Sequence, residues 1–120
     1  MAKRTLEDLE AEMRSVARGE RAAPPRPVLS ALPALTEEAI AVMRIILTER
    51  PGSVSDVVRS SGRTQSSVSR SLGRLESHGF VRMVRDGRQV RPEAVARRFT
   101  IDFETGTYEA ERPVMAGDAA

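Results

Sequence analysis

Residues 53–91 read SVSDVVRSSGRTQSSVSRSLGRLESHGFVRMVRDGRQVR, and the order of helix and turn signals in this stretch predicts most of the fold. Ser53 followed by an acidic residue three positions later is a capping box, which opens a short helix that Gly62 ends. A longer helix is predicted from Thr64 to His78, because apolar residues recur at helical spacing and the next residue is glycine. The stretch therefore predicts two helices joined by a tight turn.

A β-hairpin is predicted directly after the longer helix. Phe80 to Val84 is a β-prone run with alternating apolar residues. Asp86-Gly87 is the strongest two-residue signal for a hairpin turn. The chain is then expected to return as a partner strand over residues 88–91 and to stop at Pro92, which cannot donate a ladder hydrogen bond.

One further helix is predicted before the quoted stretch. Thr36 is its expected cap, with two glutamates in the first turn, where the helix dipole favours negative charge. Pro51-Gly52 is expected to end it. Its buried face is predicted to comprise Ile40, Met43, Ile46 and Leu47. The order helix, short helix, tight turn, long helix and hairpin predicts an α+β protein of the winged helix-turn-helix class, with a three-helix core and a β-wing.

The two ends of the chain are predicted to add smaller elements. Thr5 to Gly19 is typical of an amphipathic helix, whose apolar stripe consists of Leu6, Leu9, Met13 and Val16. That stripe either covers the body of the domain or packs on a second copy or a partner protein. Residues 97–103 alternate, with Phe99, Ile101 and Phe103 on one face, and a return strand is expected at 107–111. These strands either form a dimer contact or extend the hairpin sheet.

The length of 120 residues accommodates one compact domain with short additions. Ala22 to Pro27 holds three prolines and is expected to be an extended, semi-stiff linker, whereas residues 28–35 are ambiguous. The predicted division is residues 1–21 for the N-terminal helix, 22–35 for the proline-rich linker, 36–111 for the winged domain with its C-terminal strands, and 112–120 for a flexible tail.

The composition argues against several kinds of site. The chain has no cysteine and one histidine, so zinc sites, disulfides and thiol chemistry are not expected. The sequence contains no recognisable catalytic constellation, so we predict no enzyme activity, no cofactor and no metal. The charged N-terminus and the lack of a run of about 20 apolar residues predict a cytoplasmic protein that does not enter the membrane.

The positive charge is concentrated in the middle of the chain. The net charge is +2, but residues 44–98 hold twelve arginines against five acids, a balance of +7. The segment before them is nearly neutral and the segment after them is acidic. This distribution is typical of a surface that meets a polyanion.

The helix predicted at 64–78 has two different sides. Val68, Leu72 and Leu75 cluster on one side and are expected to face the core. The opposite side carries small hydroxyls and arginine, which suit the major groove of DNA, where a helix approaches closely and its donors reach base edges. The candidate base contacts are Gln65, Ser66, Ser67, Ser69 and Arg70. The candidate contacts to the DNA backbone, including those of the hairpin, are Arg59, Arg63, Arg74, Arg82, Arg85 and Arg88.

The sequence RTQSSVSRSLGRLESHGFV at 63–81 resembles the recognition-helix region of MarR-like winged-helix regulators, and SVSDVV at 53–58 resembles the helix before it. The resemblance covers residues 36–91 and implies DNA binding without indicating the target gene. The sequence has no counterpart of the C-terminal helix through which larger members dimerise and often form a ligand pocket. It is more similar to a small MarR-like group with one N-terminal helix and a C-terminal β-hairpin, some of which occur in toxin–antitoxin-like operons. This similarity argues against a conventional small-molecule effector.

Two functions follow as hypotheses. The first is a transcriptional repressor that binds double-stranded DNA as a homodimer at a pseudo-palindrome. The alternative is an antitoxin-like interaction module, which uses the N-terminal helix and the linker to bind a partner protein such as a toxin. A neighbouring gene for a small toxic enzyme would favour the alternative.

Overall fold

The computed structural model describes residues 24–114, so the predicted helix at 5–19 and the end of the predicted tail lie outside the described residues. The elements are β1 (Arg26–Pro27), α1 (Val28–Ala31), a 3-10 turn (Leu32–Ala34), α2 (Glu37–Glu49), α3 (Val54–Ser61), α4 (Gln65–Ser77), β2 (Val81–Asp86), β3 (Gln89–Ala94), β4 (Arg98–Asp102) and β5 (Thr107–Glu111). Helices and antiparallel sheets together confirm an α+β fold. No helix between residues 24 and 114 is long and apolar enough to cross a bilayer.

The two predicted helix caps, Thr36 and Ser53, are present, and Thr64, predicted as the first residue of the next helix, is its cap instead. In all three, the hydroxyl oxygen accepts a hydrogen bond from the backbone amide three residues on, at 3.1 or 3.2 Å. Gly62 ends α3 in the left-handed conformation with φ 69°, where a side chain would be strained. The predicted capping box of α3 is one residue out of register, because the Asp56 carboxylate accepts from the Gly52 amide and not from the cap itself.

The core lies where the three longer helices meet the base of the hairpin and the second sheet. Its fully buried large side chains are Val42, Val57, Val68, Leu75 and Val81. The predicted face of α2 is partly wrong: Ile46 is buried, but Ile40 is 44% exposed and Ala39 takes the inward position. Neighbouring residues on a helix differ by about 100° in direction. The prediction placed Ile40 on the buried face where the structure has Ala39, so the predicted face was rotated away from the core. Met43 and Leu47 are half-buried at its edge.

The strands β2 and β3 form the predicted antiparallel hairpin. Asp86 pairs with Gln89 and closes the tip, so the loop is Gly87-Arg88, one residue later than predicted. Gly87 has φ 65° at the first loop position, where type II′ turns require glycine.

Pro92 does not end the return strand, contrary to the prediction. β3 continues to Ala94, and Pro92 lies opposite Met83 of β2. Within residues 24–114 the sheet has only these two strands, so the ring of proline can face the open edge without costing a ladder hydrogen bond.

A second antiparallel sheet has the strand order β1-β5-β4. The predicted linker contributes to it: Arg26 is extended, as expected, but it lies opposite Tyr108 of β5. The chain then turns helical and buries Ala31 and Ala34, so residues 26–34 are packed on the body of the protein. β5 pairs with β1 on one side and with β4 on the other, so these strands do not extend the hairpin sheet.

The predicted apolar face of β4 is only partly correct. Phe99 packs edge-on to Phe80 in the core, with ring centroids 4.8 Å apart. Ile101, however, is 43% exposed, and Phe103 is 91% exposed. The alternation ends because the Asp102 carboxylate accepts hydrogen bonds from the amides two and three positions later, at 2.9 and 3.2 Å, and closes a turn. Phe103 therefore lies in that turn and not in the strand.

Candidate nucleic-acid interface

The helix α4 is held on the body by its apolar side. Val68, Leu72 and Leu75 are at most 3% exposed, as the sequence predicted. Ser71 is buried between them, which a small hydroxyl allows. Because this side is fixed against α2, α3 and β2, the direction of the opposite side is fixed as well.

The opposite side of α4 is open to solvent. Its exposed residues are Gln65, Ser66, Ser69, Arg70, Gly73 and Arg74. The Ser66 hydroxyl lies 3.4 Å from that of Thr64, and Ser69 and Arg70 have no side-chain partner among residues 24–114. A Cβ added to Gly73 would meet no atom within 4 Å, so another molecule can approach the helix backbone closely there. Four of the five predicted base-contact residues therefore lie together on one uncovered surface.

The fifth residue, Ser67, points elsewhere. It is half-buried, and its hydroxyl donates a hydrogen bond to the Glu38 carboxylate in the first turn of α2. The sequence indicated a favourable interaction of this glutamate with the helix dipole but gave no sign of the contact across 29 residues. In this position Ser67 ties the first turn of α4 to α2.

Five of the predicted phosphate-contact and base-contact arginines carry no partner among residues 24–114. They are Arg63, Arg70, Arg74, Arg85 and Arg88, all of them exposed. An arginine without a carboxylate partner can meet a phosphate without first breaking an ion pair. These five side chains are the available positive charge of the candidate interface.

Arg59 and Arg88 lie on one groove between the start of α3 and the hairpin tip. The groove has a volume of about 390 Å³, and both arginines line it with Ser53 and Ser55. Arg59 is 77% exposed at its side chain and is bound to Asp56 at 2.9 Å. Such an exposed pair contributes at most about 1 kcal/mol, so Arg59 can change partners at little cost. The structure thus brings together two arginines that are 29 positions apart in the sequence.

Arg82 is engaged in the base of the hairpin. Its guanidinium binds the Glu93 carboxylate at 2.8 Å, and Arg91 binds the other oxygen of that carboxylate at 3.0 Å. Glu93 is 3% exposed, so both arginines neutralise a buried charge. Arg82 also donates to the Val114 carbonyl. Arg82 is therefore not presented with the five arginines that have no partner.

The C-terminal end of α4 is bound by the second sheet. The Arg26 guanidinium donates a hydrogen bond to the Ser77 carbonyl at 2.9 Å, where the helix dipole favours a positive charge. Tyr108 donates its hydroxyl proton to the next carbonyl, that of His78. Sequence reasoning assigned Arg26 to a linker and missed this contact, because the two partners lie 51 residues apart.

The surroundings of Tyr108 change its titration. Burial raises the pKa of its phenol, and the positive charge of Arg26 partly opposes that effect. Its ring stacks on Phe80 at a centroid distance of 5.2 Å. The phenol therefore stays protonated and keeps its bond to α4 at neutral pH.

Comparison with known proteins places these elements in a family. No curated protein matches the chain. The sequence matches the HVO_A0114 family over residues 34–101, which include α2, α3, α4 and the complete hairpin. The match spans more than half of the 120 residues. The chain therefore belongs to the HVO_A0114 family.

Proposed function

We propose that this protein is a sequence-specific, double-stranded DNA-binding transcriptional regulator, acting as a repressor. In this proposal α2, α3, α4 and the β2–β3 hairpin form a winged helix-turn-helix that is similar to those of MarR-like regulators. The observation that carries the proposal is the uncovered side of α4, which presents an amide, two hydroxyls and an arginine on a firmly anchored helix.

The outer side of α4 has the shape and chemistry that a major groove requires. The groove of B-DNA is about 12 Å wide, and a helix with its side chains has a diameter of about 10–12 Å, so small side chains favour deep entry. Gln65 can make a bidentate contact to adenine and Arg70 one to guanine. Ser66 and Ser69 are short enough to leave the approach free, and Gly73 adds no side chain at all.

The hairpin and the turn before α4 supply the contacts to the DNA backbone. Arg85 and Arg88 lie at the exposed tip, which we assign to the phosphates or the narrow minor groove. Arg63 and Arg74 flank the outer side of α4 and are assigned to phosphates. Each such contact releases counterions and makes the logarithm of the affinity fall by about 0.9 per tenfold rise in salt.

We expect the proposed repressor to bind DNA as a homodimer. Two copies would read the half-sites of a pseudo-palindrome that are about 34 Å, one helical turn, or a multiple of it apart. A DNA target also fits the cytoplasmic location predicted from the sequence.

The alternative, an interaction module that binds a protein partner, has less support. It was expected to use residues 1–35, but the chain from Arg26 to Ala34 is packed against the second sheet and the core. This part of the predicted linker is therefore engaged within the chain and is not an extended arm. We therefore retain DNA binding as the proposed function.

The experiment is a fluorescence-anisotropy titration of the full chain. The DNA is the region upstream of the protein's own gene, compared with a scrambled duplex at two salt concentrations. Arg70→Ala is expected to remove most of the discrimination between the two duplexes, a loss of about 1–3 kcal/mol. Arg44→Ala, on the exposed side of α2 away from its buried face, is the matched control and should change neither affinity. Equal affinity of the unaltered protein for both duplexes would contradict the proposal.

A further inference from the structure

The large apolar side chains that residues 24–114 leave exposed are concentrated in one region. They are Leu29, Leu32, Leu35, Ile40, Ile101 and Phe103. Four of these six line a single groove of about 260 Å³, whose floor includes Met43 and Phe99. Single exposed apolar residues are ordinary, but a contiguous apolar groove indicates a binding surface.

We propose that this apolar groove is the docking site for the N-terminal segment of the same chain. Residues 5–19, which lie outside the described residues, carry the apolar stripe Leu6, Leu9, Met13 and Val16. The spacing of 3, 4 and 3 residues places these four side chains along one side of a predicted helix. The predicted stripe and the groove are therefore both apolar, and among residues 24–114 nothing covers the groove.

The length and starting point of the connection favour docking within one chain. Nine residues separate Val16 from Arg26, enough to span about 30 Å when extended. Arg26 is fixed in β1 opposite Tyr108, and Tyr108 itself lines the groove. A tether of this length gives an effective concentration on the order of millimolar, which a free second copy would not match.

The charges agree with the same occupant. On a helix of 3.6 residues per turn, Glu10 and Glu12 lie about 80° to either side of the centre of the stripe. Arg97 lines the groove and has no partner among residues 24–114. A docked segment would therefore place a carboxylate beside an uncompensated guanidinium.

The size of the contact also argues for a tethered occupant. A stable interface between separate proteins buries about 800 Å² on each partner. A stripe of four side chains in a groove of about 260 Å³ makes a smaller contact. Such a contact holds the segment in place only when the covalent connection lowers the entropy cost of association.

The test uses engineered cysteine pairs, which the absence of native cysteine makes unambiguous. Leu9→Cys and Met13→Cys are each combined with Ile40→Cys or Ile101→Cys in the full chain, and oxidation is followed by non-reducing electrophoresis and mass spectrometry. The control replaces Ala11, on the opposite side of the predicted helix, with cysteine in the same pairs. The proposal predicts several-fold more intramolecular disulfide, at the mass of one chain, for the stripe positions than for Ala11.

Three other results would each overturn the proposal. A covalent dimer that disappears on dilution would assign the groove to a second copy. Equal cross-linking of the Leu9 and Ala11 positions would show that the segment touches the groove without presenting its apolar side to it. The absence of any cross-link would show that the segment lies elsewhere.

A second test compares Leu9→Glu with Ala11→Glu. Only Leu9→Glu should lower the urea midpoint of unfolding. Neither test contains DNA, so a negative result leaves the proposed function untouched.

Discussion

The guanidinium of Arg26 donates a hydrogen bond to the carbonyl of Ser77, at 2.9 Å. This contact joins the first strand of the second sheet to the last residue of α4, the helix that carries the candidate base contacts. A cation at that end also opposes the partial negative charge of the helix dipole. This contact is thus a second anchor for α4, at its C-terminal end, in addition to the apolar side that packs on the core.

Replacing Arg26 with alanine should lower the free energy of unfolding by about 1 kcal/mol, since one hydrogen bond and one charge–dipole interaction are lost at a partly exposed site. Urea unfolding followed by circular dichroism measures this change. The control variant Arg44→Ala, at an exposed position of α2, should stay within about 0.5 kcal/mol of the unaltered protein. Equal effects of the two substitutions would contradict a specific role of Arg26.

Two glycines of the same region should respond to alanine in opposite directions. Gly79 has φ 81°, and a Cβ there would lie 3.1 Å from the Arg26 guanidinium, so Gly79→Ala should destabilise the protein by about 1–2 kcal/mol. Gly73 is in the middle of α4 with open space around it, so Gly73→Ala should stabilise the protein by about 0.5–1 kcal/mol. Thermal unfolding of both variants decides the matter, and a shift of both melting temperatures in the same direction would contradict it.

The two hairpin arginines Arg88 and Arg82 should separate DNA binding from stability. Arg88→Ala should weaken binding to any duplex and reduce the salt slope by about 0.9, with little change in stability. Arg82→Ala should instead lower the free energy of unfolding by about 2 kcal/mol, because the buried carboxylate of Glu93 loses one of its two partners. Salt-dependent anisotropy and urea unfolding give the two readouts. The opposite pattern would mean that Arg82 is a phosphate contact after all.

The single tyrosine gives a pH test of the sheet–helix contact. Because burial raises the pKa of Tyr108 above 10.0, the unfolded chain loses this proton first as the pH rises. The contribution of the protonated phenol to the free energy of unfolding is therefore complete below pH 10.0. It is lost as the pH rises through the higher pKa of the folded protein. The near-ultraviolet absorbance of tyrosinate should therefore titrate at higher pH in the native protein than in urea. Identical midpoints would show that the phenol is not buried.

Local signals in the sequence predicted much of the fold. The caps at Thr36 and Ser53, the buried side of α4 and the hairpin are all short-range features, and the structure contains each of them. Two of the errors were small rotations or shifts: Ile40 was taken for an inward residue, and the hairpin loop was placed one residue early. The first error arises because neighbouring helical residues differ by about 100° in direction. The second arises because glycine can occupy either position of a two-residue turn.

The contacts that position the candidate site could not be predicted in this way. Ser67 meets Glu38 across 29 residues and Arg26 meets Ser77 across 51, and neither pair leaves a periodic signal. The ion pair of Arg82 with Glu93 depends on the hairpin register, which the expected stop at Pro92 had cut short. The sequence therefore predicted the arginines as one set of DNA contacts. The tertiary structure was needed to show which of them already have a partner within the protein.

The burial of Glu93 at one end of the hairpin gives that ribbon unequal stiffness along its length. Near Val81 the strands are fixed by the core and by two guanidinium groups, while residues 85–89 at the tip are exposed. An isolated pair of strands is marginally stable in water, so we expect this outer part to bend more easily than the base. We therefore expect the tip of the hairpin to adjust to the surface that it meets, while the base keeps a constant orientation relative to the core.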